Sequence, residues 1–225
     1  MVYDFHTHSF LSDGELSPVE LIRRAVVNGY RAIAVTDHVG PGNMERVLKE
    51  LVKECRLAEE YWPITAIPGV ELTHIPAGSI PGLAQEAREL GAELVVVHGE
   101  TLVEPVEPGT NQAAASCPLV DILAHPGLLT EEEARLALAN EVFIEITARG
   151  GHNVGNGHVA QIGRKVGVKF IVDSDTHQPN NLLTESWAKT VAKGAGLDAA
   201  EVEEATVGNP LKILEIVRKR RGPKL

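Results

Sequence analysis

Short aliphatic, β-branched runs recur along the chain at fairly even intervals: Val2 to Phe5, Ala32 to Thr36, Ile64 to Val70, Glu93 to Val97, Val120 to Ala124, Val142 to Thr147 and Lys169 to Asp173. Near-continuous apolar runs of this length read as strands buried on both faces, which is the mark of a parallel sheet. Between most of them apolar residues fall at i, i+3 and i+4, over Pro18 to Asn28, Asn43 to Glu59, Ile80 to Leu90, Glu131 to Asn140, His158 to Val166 and Asn181 to Lys193. That spacing predicts amphipathic helices. Local signals agree: Ser17-Pro18-Val19-Glu20 offers an N-cap, a proline at N1 and a glutamate at N3, with Gly29 as the stop. Thr130 likewise precedes Glu131-Glu132-Glu133, acids in a first turn where the helix dipole favours them. Seven βα repeats close into a barrel more readily than they lie open, so the pattern predicts an α/β fold, a (β/α)7-like barrel. No Gly/Ser linker, low-complexity tract or repeat divides residues 1–225, and a single domain is expected.

Composition narrows the class. The 225 residues are 44% hydrophobic and only 4% aromatic, enough for one large aliphatic core. No apolar run approaches the roughly 18 residues of a membrane span, and Asp4 and His6 interrupt the opening run, so neither a span nor a signal peptide is expected. A cytoplasmic location follows as the expectation. Cys55 and Cys117 stand far apart and outside any CxxC arrangement, which predicts small buried residues with no disulfide framework and no thiolate metal site. A formal net charge of -10 argues against broad attachment to nucleic acid or to an anionic membrane. The one basic run, Arg218-Lys219-Arg220-Arg221 with Lys224, closes the last helix, where cations suit the dipole and solvent.

The residues that follow each apolar run carry the chemistry, because active sites of such barrels gather at the C-terminal ends of the strands. The runs end, in order, in His6-Thr7-His8, Asp37-His38, Glu71, His98, His125-Pro126, Glu145 followed by Thr147-Ala148-Arg149, and Asp175-Thr176-His177. Residues two apart on an extended strand project to the same side, so His6 and His8 converge. Asp175 and His177 repeat the spacing at the other end of the chain, and in a closed barrel the first and last strands are neighbours. Six of the nine histidines (His6, His8, His38, His98, His125 and His177) thus fall at strand ends. They are dispersed in sequence yet on one rim, as a metal site requires.

His6-Thr7-His8 with Ser12-Asp13-Gly14, Thr36-Asp37-His38, Gly69-Val70-Glu71, His98, His125-Pro126 and Ser174-Asp175-Thr176-His177 resembles the motif series of the PHP (polymerase and histidinol phosphatase) domain, over nearly the whole chain. The resemblance implies a distorted (β/α)7 TIM-like barrel with a trinuclear metal centre. It also implies a metal-dependent phosphoesterase, hydrolysing a small phosphomonoester (histidinol-phosphatase-like) through a metal-activated hydroxide. Carried over by position, it implies three divalent ions (zinc, manganese or iron). His6, His8, Glu71 and Asp175 would hold the first, with Glu71 bridging to a second held also by His98 and His125. Asp13, His38 and His177 would hold the third. Asp13 stands where some members have histidine, which moves the preference toward harder ions. Asp37 is expected behind the ligands, orienting an imidazole.

Such a metallated pocket is positive inside an acidic protein, which suits a small phosphorylated substrate. Asp175, His177 and a metal-bound water are the candidates for protonating the leaving group. Arg149, on the same rim, is a candidate to clasp a phosphate oxygen; a surface arginine beside Gly150 and Gly151 is the alternative. Asn111 in the 101–118 connection, His152 and His158 around the 153–157 loop, and His74 are further candidate substrate contacts. Alternatives on the same scaffold are a nuclease or nucleotide phosphodiesterase, and a non-catalytic RNA-binding barrel of the archaeal ribonuclease P type. Net acidity and the intact ligand series count against the last.

Overall fold

The computed structural model describes residues 1–222. Its parallel strands are β1 (Val2–Asp4), β2 (Tyr30–Val35), β3 (His38–Val39), β4 (Thr65–Leu72), β5 (Leu94–His98), β6 (Ile122–Ala124), β7 (Phe143–Thr147) and β8 (Phe170–Asp173). The sheet runs β1-β2-β4-β5-β6-β7-β8, and the two-residue β3, just beyond β2, pairs His38 with Glu71 of β4. This is the seven-strand, TIM-like α/β barrel that the βα pattern predicts. Helices α1 (Pro18–Val27), α2 (Met44–Tyr61), α3 (Ile80–Glu89), α4 (Thr110–Ala115), α5 (Glu131–Ala139), α6 (Asn156–Val166), α7 (Glu185–Gly194), α8 (Ala199–Glu203) and α9 (Asn209–Arg221) accompany it. The Ser17 side chain accepts from the Glu20 amide, and Thr130 and Glu133 form a reciprocal capping box, so both anticipated helix starts occur. The helix expected from Asn181 begins instead at Glu185, because the Thr184 side chain caps the Trp187 amide and the preceding residues 179–181 form a single 3-10 turn.

Two apolar layers result from the two-residue period of the strands. Ala32, Ala34, Ile67, Leu94, Val96, Ile122, Phe143 and Ile171 fill the barrel interior with Tyr3 and Phe5, while Ile33, Val35, Val95, Val97, Ile144 and Val172 face the helices. Ile213, Leu214 and Val217 of α9 plug the interior from below. The basic end of that helix does more than meet solvent. Arg221 donates to Glu59 at 2.8 and 3.1 Å, to Glu93 at 2.8 Å and to the Ala66 carbonyl, and Arg220 reaches Asp121 at 2.7 Å. These contacts pin α9 beneath the strands; Lys224, counted with the same run, lies outside the described residues.

The barrel closes between β1 and β8 through one backbone bridge and a set of side chains. Thr7 and Thr176 form one parallel bridge, with the His8 amide donating to the Thr176 carbonyl at 2.8 Å. Below it the Phe5 amide donates to Asp173 Oδ1 at 2.7 Å and the Ser174 amide to Asp4 Oδ1 at 3.0 Å. Two buried carboxyl groups thus accept the amide protons that a backbone ladder would otherwise satisfy. Among the described residues no helix is long and apolar enough to cross a membrane.

Candidate metal centre

The interior phase of each strand decides which polar side chains enter the barrel top. Ile67 points inward, and so, four residues on, does Glu71; Leu94 and Val96 are followed in phase by His98, Phe143 by Glu145, and Ile171 by Asp173. His6, His8, Glu71, Glu145 and Asp175 are at most 3% exposed, and Gly99 keeps the tops of β5 and β6 in contact, since a Cβ there would stand 2.2 Å from the Ala124 carbonyl oxygen. Among the described residues, the non-glycine positions in the left-handed region are His74, His125, Glu141 and Asp175, three of them in or beside this cluster. Backbone held this way concentrates at functional sites.

Glu71 and Asp175 are the hubs. His6 Nε2 lies 3.2 Å from Glu71 Oε1, His125 Nε2 3.6 Å from the same oxygen, and His8 Nε2 3.3 Å from Asp175 Oδ1. Asp13 Oδ2 is 3.2 Å from His177 Nε2, and Asp13 Oδ1 is 3.5 Å from His38 Nε2. Yet His6 Nε2, His8 Nδ1 and Nε2, Glu71 Oε1, His125 Nδ1 and Asp175 Oδ1 are all buried without a hydrogen-bond partner. Leaving so many polar atoms unpaired is costly unless something else satisfies them. Metal–ligand bonds of about 2.1 Å place adjacent ligand atoms roughly 3.0 to 3.4 Å apart, close to the separations above. The donors therefore fit divalent ions.

Three donor groups emerge: His6, His8 and Asp175; His6, Glu71 and His125; and His8, Asp13, His38 and His177. The grouping departs from expectation in three ways: Glu71 falls with His6 and His125 and outside the His6, His8 and Asp175 group, His8 joins the Asp13 group, and His98 Nε2 faces Glu104 at 3.1 Å, in a fourth group with His74. Charge in the centre is balanced by protonation. Burial works against the ionised Glu71 and Asp175 carboxyls, but the neighbouring imidazoles, His6 foremost, outweigh it and hold both well below the usual carboxylate range. Burial also opposes charge on His6, where Glu71, Glu145 and Asp175 prevail and raise it, and on His38, which Glu71 raises to about 9. His8 is pushed down to about 3 by burial and by His38, and His125 is likewise held low, so both imidazoles stay neutral, the form that binds metal.

The residue that orients an imidazole is Glu145. Its Oε1 takes the His6 Nδ1 proton at 2.8 Å and its Oε2 accepts from the His125 amide at 2.8 Å, tying two ligands together. Asp37, expected in that role, instead accepts from the Ser9 and Ser12 amides and hydroxyls and so anchors the loop leading to Asp13. The signal for Glu145 was its place on β7, but only the barrel phase reveals its partner. Glu145→Gln is expected to weaken metal retention about 10- to 100-fold with the fold intact, read by competition with a chelator.

The rim residues divide. Arg149 Nη1 donates to the Asp175 carbonyl at 3.3 Å and lines a cleft of about 460 Å³ with Asp13, Glu15, His177 and Gln178. His152 stacks 4.4 Å from His125 and shares its Nδ1 with the Thr101 hydroxyl. Asn111 is turned away from the cleft: 2% exposed, it accepts from the Glu100 amide and donates to the Pro126 carbonyl, bracketing two loops. His158 is spent on the Leu129 carbonyl at 2.9 Å. Neither faces the donors as a substrate contact would.

Comparison with known proteins agrees with this geometry. The chain is 50% identical over 220 residues to the uncharacterized protein MJ1295 of Methanocaldococcus jannaschii, covering 96% of this chain and 99% of that one. It is 26% identical over 235 residues to the DNA polymerase/3'-5' exonuclease PolX of Bacillus subtilis, covering 96% of this chain but 41% of that protein. Among solved structures, a chain of archaeal ribonuclease P determined with mature tRNA superposes with a TM-score of 0.64 at 16% identity, covering 96% of this chain and 89% of that one, a likeness of fold. Residues 4–150 match the PHP domain model, and the chain belongs to the PHP domain family.

Proposed function

We propose that residues 1–225 act as a metal-dependent phosphoesterase that hydrolyses a small phosphomonoester at a trinuclear centre. The observation that carries the reading is the set of buried, unpaired donor atoms on His6, His8, Glu71, His125 and Asp175 at the barrel top. In the proposed loaded state His6, His8, Glu71 and Asp175 hold one ion, Glu71, His98 and His125 a second, and Asp13, His38 and His177 a third. Zinc, manganese or iron suits such a nitrogen- and oxygen-rich set. Bound there, the metals supply Lewis-acid activation of water and of the phosphate oxygens.

The chain's own groups then place the substrate. Arg149 stands in the cleft beside Asp13 and His177, positioned to take a non-bridging phosphate oxygen through its fork of N–H donors. His177 donates Nδ1–H to the Asp175 carbonyl at 3.0 Å, which fixes its ring at the cleft wall. Of the candidate proton donors, Asp175 is held ionised by the imidazoles around it, so His177 is proposed to deliver the proton to the departing alkoxide. The cleft of about 460 Å³ is of a size that takes a compact phosphomonoester. The test is elemental analysis of the purified protein together with phosphate release from a panel of small monoesters, with and without chelator. Bound transition metal and chelator-sensitive release are expected; fewer than one ion per chain and no metal-dependent release would overturn the reading.

A second reading, cleavage of internal phosphodiesters at the same centre, rests on the similarity to the 3'-5' exonuclease PolX. Its mark is activity that survives blocking of terminal phosphates. An RNA-binding role without catalysis has the fold likeness to the ribonuclease P chain behind it, and the net charge of -10 against it.

A further inference from the structure

We propose that the cleft holding Arg149 recognises hydroxyl groups, and that the substrate is the phosphate monoester of a sugar or another polyol, selected by Glu15, Gln178 and Asn181. The proposal rests on the phosphoesterase reading above and names the alcohol half of its substrate. Asp13, His177 and Arg149 make up the phosphate end of the cleft of about 460 Å³, and Glu15, Gln178 and Asn181 are its further side chains. Among the described residues no apolar side chain lines it. None of the three belongs to the motif series.

These side chains form an ordered row although Glu15 and Gln178 are exposed. The Glu15 amide donates to the His177 carbonyl at 2.8 Å, which fixes the row beside the phosphate end. Gln178 Nε2 donates to Glu15 Oε1 at 2.8 Å, and the Gln178 amide donates to Asn181 Oδ1 at 3.0 Å, with the Gln178 side chain accepting in return from the Asn181 amide. Groups already held in place lose little freedom when a ligand arrives. Among the described residues, the second Glu15 oxygen and the Asn181 side-chain N–H groups have no protein partner, so the row offers an acceptor and donors together. A hydroxyl both donates and accepts and satisfies the two kinds at once; an ammonium group only donates and leaves the amide N–H groups unmatched. An aryl or alkyl group would cover these polar atoms without replacing the water they lose. A second phosphate on the alcohol would face the Glu15 carboxylate, with Arg149 already engaged by the first. The competing account is a plain surface contact that ties the loop after β1 to the loop after β8, and it predicts no influence on selectivity.

The test compares chelator-sensitive phosphate release from glycerol phosphate and a hexose phosphate with release from ethyl, phenyl and ethanolamine phosphates, on wild type, Glu15→Ala and Gln178→Ala. Both substitutions are on exposed side chains, and circular dichroism with elemental analysis checks that fold and metal content are kept. Wild type is expected to show kcat/KM about tenfold or more higher for the polyol esters, and each variant to lose most of that preference through a raised KM. Release from all the esters without preference, or a preference for the ethyl, phenyl or ethanolamine ester, would overturn this proposal and leave the phosphoesterase reading intact. A polyol preference that both variants retain would also overturn it, since the selection would then lie outside this row. Absence of chelator-sensitive release from every ester would remove both.

Discussion

Glu71→Gln is expected to lose most of the bound metal and to lower kcat by about 10³-fold, the equivalent of roughly 4 kcal/mol of transition-state stabilisation. The reason is positional. Glu71 sits in β4 where the interior phase and the pairing with His38 of β3 bring it among four imidazoles: His6, His125, His8 and His38 lie 3.2, 3.6, 3.7 and 2.6 Å from its oxygens. It is fully buried, so no water replaces a missing charge. A glutamine keeps the shape but offers one neutral oxygen, and turns an N–H group toward lone pairs that must face a cation. The two ions that Glu71 is proposed to bridge should be lost together, while the Asp13, His38 and His177 group retains part of its affinity. Elemental analysis and phosphate release on the same preparation check this. Full metal content with activity within about tenfold of wild type would remove Glu71 from the bridging position.

Much of this centre was legible in the sequence because its chemistry is repeated. Histidines at the ends of successive apolar runs have no shared reason to be there except a common rim, and barrel closure brings His6 and His8 beside Asp175 and His177 without any further information. What stayed hidden depends on direction and not on position. Glu145 is visible as a polar residue on β7, but that it receives the His6 proton follows only from the inward phase set by Phe143. Asp37 shows the converse: the family resemblance implies an imidazole partner, whereas the Ser9 to Ser12 turn folds back and takes both oxygens. Glu104 lies in a connection with no periodicity, so nothing in the chain signals that it returns to His98. The arginines of α9 read as solvated because their partners Glu59, Glu93 and Asp121 lie on three other elements. Seam residues Asp4 and Asp173 were read as interruptions or strand ends, since their role exists only once β1 meets β8.

That seam leads to the second large effect, a pH dependence of stability in chelator-treated protein. Asp4 is fully buried, and desolvation lifts its carboxyl from an ordinary value near 3.8 to about 7, against hydrogen bonds from Ser174 and Tyr30 that favour the ionised form. Burial, joined by the Asp4 charge, also raises Asp173, whose Oδ2 has no partner. Below the unfolded pKa both states carry the proton and the seam is at full strength. Between about 4 and 7 the folded protein keeps a proton that the unfolded chain has released, so stability falls as pH rises through this window and levels off above it. A shift of this size corresponds to several kcal/mol. Asp4→Asn still offers an oxygen to the Ser174 amide and never ionises, and it also relieves Asp173 of a neighbouring charge. The variant is therefore expected to gain stability relative to wild type as pH rises from 4.5 to 8, measured by urea unfolding with chelator present. Titration of Glu71, Asp175 and the histidines is common to both proteins and cancels to first order in the difference. A difference between the two proteins that stays constant across the window would mean that the seam carboxyls titrate normally and that the barrel closes without holding a proton.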